Sequence, residues 1–302
     1  MFILQFIRGM LMAMADSVPG VSGGTIAFIL GFYDKFINSL HDIASKDKEL
    51  RKESILFLLK LGVGWGVGFI TSVLFITSVF QTHIYSISSI FLGLILGAIP
   101  IIILQEKDTL KNKYKNLLFT LLGVVIVFSI THFNPIIRGG EGFVSDVDNL
   151  TLGIGIFIFF AGIVSISAMV LPGISGSTIL LIFGLYAPIL NAVKEVLHFN
   201  LEYLPVVIIL GIGNVIGIAL VIKLVKTAID HYRSATIYLI IGLMLGSIYA
   251  VILGPMTLEV PVDALSFSTF NIFFFILGVG FIVGLEQLRK YFERSKNKTI
   301  SE

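Results

Sequence analysis

Apolar runs separated by short clusters of charge dominate this chain, and the pattern predicts helices that cross a membrane. Spans are expected at about Ile55 to Val79, Ile84 to Leu104 and Leu117 to His132, and again at Tyr203 to Lys223, Thr236 to Leu253 and Phe270 to Leu285. The runs approach the ~20 apolar residues that cross a hydrocarbon layer of ~30 Å. The first apolar segment differs. From Phe2 to Ala15 it offers about 14 residues, or ~21 Å of helix, which is too short to cross. A segment that enters, turns at Pro19 and leaves on the same face fits it better. Arg8 interrupts the segment and its continuation recurs later in the chain, so it reads as structure rather than as a signal peptide.

The recurrence is an internal repeat. ADSVPGVSGGTIAFILGFYDKFINSL around Pro19 aligns without a gap to AMVLPGISGSTILLIFGLYAPILNAV around Pro172. Pro19, Gly20, Ser22, Gly23, Thr25, Gly31, Tyr33 and Asn38 match Pro172, Gly173, Ser175, Gly176, Thr178, Gly184, Tyr186 and Asn191. LGVGWGVG from Leu61 then answers LGIGNVIG from Leu210, GLILGAI from Gly93 answers GLMLGSI from Gly242, and LLGVVIV from Leu121 answers ILGVGFI from Ile276 more faintly. Two such halves in a membrane protein suggest a transporter with its site at their interface.

Composition agrees. The 302 residues are 56% hydrophobic and 13% charged, more apolar than a soluble core absorbs. A net charge of +2 is too small to suggest nucleic acid, and the absence of cysteine excludes disulfides and thiolate chemistry. No metal or cofactor is expected.

Basic residues set the orientation. Lys46, Lys48, Arg51 and Lys52 share one loop, Lys107, Lys111, Lys113 and Lys115 a second, and Arg289, Lys290, Arg294, Lys296 and Lys298 the tail. These are expected on the cytoplasmic side, with both termini. The segment from Asn134 to Leu150 has Arg138 against Glu141, Asp146 and Asp148, and Gly254 to Ser268 has Glu259 and Asp263 without Lys or Arg, so both are expected outside. The sides agree when each proline-containing segment enters and leaves on one face, which inverts the second half relative to the first. The expected fold is an all-α polytopic membrane protein with one integral membrane domain. It comprises two inverted-topology repeats, 1–150 and 151–302, each a re-entrant helical hairpin plus three transmembrane helices. Self-association is left open.

Proline lacks an N–H and disfavours helix in the residue before it, so Val18 and Leu171 should end the first arm of each hairpin. Beyond Pro19-Gly20 and Pro172-Gly173, new helices should start near Thr25 and Thr178, presenting free N–H groups and a positive dipole end. Ser22, Gly23, Gly24, Thr25, Ser175, Gly176, Ser177 and Thr178 would line a polar, anion-binding pocket near the midplane. A phosphate, costly to bury in bare hydrocarbon, suits so many donors. One such loop alone reads as small residues that let a broken helix pack; its duplication in opposed orientation favours a site.

Asp16, whose repeat partner is Met169, is either a proton acceptor or gate, or a local cap on nearby N–H groups. Arg8 either meets a phosphate or pairs with Asp16, or else snorkels to the interface. Lys60 reads as snorkelling, Asp34 and Lys35 as residues of the hairpin mouth, and Asn214 as an interhelical hydrogen bonder. Gly64 and Gly68, Gly213 and Gly217, Gly93 and Gly97, and Gly242 and Gly246 are GxxxG pairs that let helices approach closely.

At ADSVPGVSGGTIAFILGFYD and AMVLPGISGSTILLIFGLY the chain closely resembles the PopT-type polyprenyl-phosphate transporters of bacteria and archaea, over essentially its whole length. The resemblance implies a protein of the bacterial cytoplasmic membrane that returns undecaprenyl phosphate, the carrier lipid of peptidoglycan and other envelope polymers, from the outer to the inner leaflet. It implies no enzymatic activity. The rivals are a membrane-embedded polyprenyl-(pyro)phosphate phosphatase and a small-anion transporter. Phosphatases with paired re-entrant loops combine their serine with arginine and acidic residues, whereas Gly176 and Ser177 follow Ser175 and neither loop holds an arginine.

Overall fold

The computed structural model describes residues 2–17, 22–72, 77–133, 150–257 and 261–300. Pro19 and Gly20, and with them Val18, Arg138, Glu141, Asp146, Asp148 and Glu259, lie outside the described residues. Among those described there are helices and no strands, in an all-α polytopic membrane protein.

The helices are α1 (Phe2–Asp16), α2 (Gly23–Ile29), α3 (Tyr33–Asp42), α4 (Lys48–Thr71), α5 (Thr77–Gln105), α6 (Lys107–Leu110), α7 (Leu117–His132), α8 (Leu152–Val170), α9 (Gly176–Ile182), α10 (Tyr186–Leu197), α11 (Leu204–Leu253) and α12 (Ile272–Ile300). Asp47 starts α4 by accepting from the N–H groups of Glu49 and Leu50, at 2.9 and 3.3 Å. As expected ahead of Pro172, α8 stops at Val170 and Leu171 is extended, with φ −83° and ψ 129°.

Each limb beyond the proline loop is itself broken, which the sequence reading did not anticipate. Gly31 (φ 68°) ends α2 and Gly184 (φ 70°) ends α9 in the left-handed conformation open to glycine. The Phe32 N–H returns to the Ala27 carbonyl and the Gly31 N–H to Phe28, while Leu185 and Gly184 return to Leu180 and Leu181 in the same way. α9 and α10 meet at 112° across this break.

Within the expected loop between Lys223 and Thr236 helix continues as far as His231, and a kink at Tyr232 parts α11 into two legs there. That stretch has no Gly or Pro to stop it, and α11 runs for 50 residues with one non-helical residue, Tyr232 (φ −126°, ψ 35°). His83 breaks α5 in nearly the same conformation (φ −129°, ψ 25°) at the matching position of the first half. Among the described residues, five helices can cross a membrane by length and composition, or six with the bent α9–α10 pair; α8, at 19 residues, is among them and α1, at 15, is not. α12 begins at Ile272, within the span expected from Phe270 to Leu285.

Packing follows glycine. A methyl group at Gly64 would fall on the Phe6 carbonyl of α1, and one at Gly213 on the Phe159 carbonyl of α8. Gly9 and Gly162 lie as close to the carbonyls of Leu61 and Leu210. These are equivalent residues in the two halves, so α1 lies on α4 as α8 lies on the first leg of α11. Gly93 meets Phe275 and Gly278 meets Ile90, where α5 packs on α12. Gly242 meets Thr120 and Gly123 meets Leu239, where α7 packs on the second leg of α11. The latter two pairs each join a helix of one half to a helix of the other. Close backbone approach supplies van der Waals contact where lipid removes the hydrophobic driving force. Opposite these seams lie exposed apolar stripes, such as Leu56, Leu59, Val63, Val67 and Ile70 of α4, directed to hydrocarbon.

Candidate functional site

The residues that follow the first proline meet the second proline loop. From the first, the Ser22 hydroxyl donates to the carbonyls of Leu171 and Met169, at 3.2 and 3.4 Å, and Thr25 Oγ1 accepts from the Gly173 N–H at 2.8 Å. Gly24 makes this approach possible: a methyl there would lie 2.9 Å from the Met169 carbonyl oxygen and 3.0 Å from that of Val170. Gly173 (φ 92°) turns the second loop against Leu243 of α11, and Pro172 is fully buried. Non-helical backbone at this depth thereby finds its partners within the protein.

The hairpins are further tied by two tyrosines that the sequence reading matched in the repeat without giving them a role. The Tyr33 hydroxyl donates to the Val170 carbonyl at 3.0 Å, and the Tyr186 hydroxyl to the Ser17 carbonyl at 2.8 Å. Both acceptors are carbonyls at the ends of broken helices, which have no intrahelical donor.

Of the two readings of Asp16, the geometry presents the cap. Its Oδ1 accepts from the Gly23 N–H at 2.6 Å, and its Oδ2 from the Trp65 indole N–H at 3.2 Å. The N–H expected to await an anion at the first tip is therefore held by the protein's own carboxylate. This leaves the Ser22 hydroxyl, at the N-cap of α2, to reach across to the other hairpin. In the second half Met169 replaces Asp16 and Ser175 takes over the capping, accepting from the Thr178 N–H at 3.4 Å. Ser175 also shares a 2.6 Å hydrogen bond with Ser177. Gly176 packs against the Ser165 carbonyl. Both helices start two residues before the expected Thr25 and Thr178.

Arg8 is not brought to these groups. It donates to Gln5 Oε1 at 3.3 Å and lies 4.7 Å above the Phe32 ring, and it makes no ion pair with Asp16. Asn214 does not bridge helices: its Oδ1 is buried without a hydrogen-bond partner and faces Gly162 of α8. A cavity of about 360 Å³ beside the first hairpin is lined by Phe28, Gly31, Tyr33, Asp34, Glu106 and Arg233, among others.

The crossing thus gathers buried hydroxyls, backbone N–H groups and one carboxylate between two halves of the chain. A family model described as VCA0040-like, undecaprenyl phosphate translocase-like, matches residues 12–269. A Staphylococcus aureus protein named polyprenyl-phosphate transporter is 33% identical over 284 residues, which cover 93% of this chain and 94% of that protein. A Vibrio cholerae protein of the same name is 33% identical over 257 residues, 82% of this chain and 76% of that one. No solved structure matches the chain. The matched stretch contains both proline loops and the reciprocal tyrosines, and the chain belongs to the VCA0040-like, undecaprenyl phosphate translocase-like family.

Proposed function

We propose that this protein carries undecaprenyl phosphate from the outer to the inner leaflet of the bacterial cytoplasmic membrane, with both termini in the cytoplasm. The observation that carries the reading is the buried crossing of the two loops, where donors from both halves of a family member meet. The phosphate head group binds between Ser22, Gly23, Gly24 and Thr25 on one side and Ser175, Gly176, Ser177 and Thr178 on the other, while the prenyl tail stays in hydrocarbon. Pro172 and Gly173 form the second loop. Because several of these donors now satisfy one another, the head group enters by exchanging its oxygens for those bonds. Such an exchange loses few hydrogen bonds and gains charge-assisted ones.

The halves 1–150 and 151–302 act as inverted repeats that rock about this crossing and open it to one face at a time. Asp16 must then release Gly23 for the first tip to offer its N–H, a step that gates the cycle or couples it to a proton. Phosphoryl transfer would need a base on the serine and a cationic stabiliser. Ser22 donates to carbonyls and Arg8 is turned to Phe32, which supports transport over hydrolysis.

The test is reconstitution into liposomes carrying undecaprenyl phosphate, following its arrival in the opposite leaflet together with inorganic phosphate release. Leaflet transfer without release, lost in the Ser22→Ala/Ser175→Ala protein, is the expected result. Phosphate release would replace the proposal with the phosphatase. Tail-independent uptake of a soluble phosphate ester would replace it with a small-anion transporter.

A further inference from the structure

Away from the crossing, the densest ionic cluster among the described residues surrounds Arg233, one position past the break at Tyr232. Its Nη1 donates to Asp34 Oδ2 at 2.8 Å, its Nε to Glu106 Oε2 at 3.1 Å, and its Nη2 to Glu106 Oε1. This one side chain ties together the start of α3 in the first hairpin, the junction of α5 with α6, and the joint between the legs of α11. The same three residues line the 360 Å³ cavity together with Gly31 and Tyr33. Tyr33 reaches from that cavity to Val170 at the crossing. Tyr33 is thus shared by the cavity and the crossing, and Glu106 in the cavity wall adjoins Lys107 of a basic loop, so a route between the two would pass here.

We propose that Arg233, Asp34 and Glu106 form a latch that closes this route, and that the latch must open for a head group to leave the crossing. The inference rests on the transport reading above. Charge argues for a barrier rather than a resting place. One guanidinium between two carboxylates leaves an excess negative charge, which repels a phosphate while the cluster is intact. Geometry argues for a movable tie. The two-pronged grip on Glu106 is directional, so a change of angle breaks it rather than stretching it. Its anchors flank two joints: Gly31, in the left-handed conformation, lies three residues from Asp34, and Tyr232 adjoins Arg233. Asp34 and Glu106 belong to the first half and Arg233 to the second, so any movement of one half past the other loads these bonds. The Glu106 side chain is 16% exposed against 44% for Asp34, so salt screens the Asp34 bond more than the grip on Glu106.

The chain has no cysteine, so a single cysteine reports on its own site. A Phe28→Cys reporter in the cavity wall is placed in nanodiscs, which leave both faces open, and labelled with a membrane-impermeant methanethiosulfonate. Labelling should accelerate roughly tenfold when Arg233→Gln is added, as the closed population falls. Reversing the pair, with Arg233→Glu and Glu106→Arg together, should restore slow labelling. An Ala192→Cys reporter, fully buried in α10, should stay slow throughout. Equal rates with Arg233 and Arg233→Gln would overturn the latch, and so would fast labelling in the charge-reversed protein. Accelerated labelling at Ala192→Cys would overturn it as well, by revealing general loosening. The assay contains no undecaprenyl phosphate, so its failure is distinct from a failure of the transport reading.

Discussion

Tyr33 and Tyr186 make mirror-image hydrogen bonds across the hairpin crossing, the first to the Val170 carbonyl and the second to the Ser17 carbonyl. The donors are equivalent in the repeat, and so are the acceptors. Each hydroxyl satisfies a carbonyl freed where the opposite hairpin breaks. Removing one hydroxyl leaves a buried carbonyl orphaned, at a cost of about 1–3 kcal/mol. Tyr33→Phe and Tyr186→Phe should therefore lower the melting temperature in detergent by similar amounts and slow lipid transfer. A large loss for one and none for the other would mean that the crossing is not held symmetrically.

The glycine seams give a comparison within single helices. Gly64 lies against the Phe6 carbonyl, whereas nothing stands within 4 Å of a methyl group at Gly66, two residues on. Gly64→Ala must push α1 from α4, at about 1–3 kcal/mol. Gly66→Ala should be neutral or gain about 0.5–1 kcal/mol from reduced backbone freedom. Gly213→Ala and Gly211→Ala should repeat the contrast in the second half. Thermal unfolding of the four proteins measures it, and equal effects within either pair would refute the seam.

Trp65 is the single tryptophan, and its indole N–H donates to Asp16. Asp16→Ala leaves both that N–H and the Gly23 N–H without their acceptor, costing about 1–3 kcal/mol for each buried donor. Asp16→Asn retains an acceptor for one of them. Tryptophan emission should change most in Asp16→Ala and less in Asp16→Asn, with stability falling in the same order. Identical emission in all three proteins would separate the indole from the carboxylate.

Burial raises the pKa of Glu106, but the hydrogen bonds from Arg233 and Thr109 and the charge of Arg233 outweigh it and hold the group below its ordinary 4.5. A depressed folded value means that the stabilisation is fully present above 4.5 and is lost as pH falls through that folded value. The melting-temperature difference between the protein and Glu106→Gln should be constant through the neutral range and shrink only in acid. A difference that already fades near neutrality would place the carboxylate outside the Arg233 grip.

Much of this was legible before any fold was known. The residue ahead of Pro172 leaves the helix as the missing N–H and ring sterics require, and Gly64, Gly68, Gly213 and Gly217 lie on seams as small residues in lipid should. Gly31 and Gly184 were visible as matched pairs. Their role as helix stops was not drawn from the pattern, because glycine within an apolar run can also serve packing. The connection expected after Lys223 stays helical as far as His231 and breaks at Tyr232, since charge marks a membrane boundary but does not by itself stop a helix.

By itself, the sequence determined the repeat and the break ahead of Pro172, because these depend on residues close together in the chain. Only the tertiary structure decided that α5 packs on α12 and α7 on the second leg of α11, since a glycine face accepts any partner that approaches closely enough. It also decided that Asp16 caps Gly23 and that Arg233 grips Asp34 and Glu106. A carboxylate or guanidinium takes whichever partner folding delivers, and that choice is made between residues far apart in the chain.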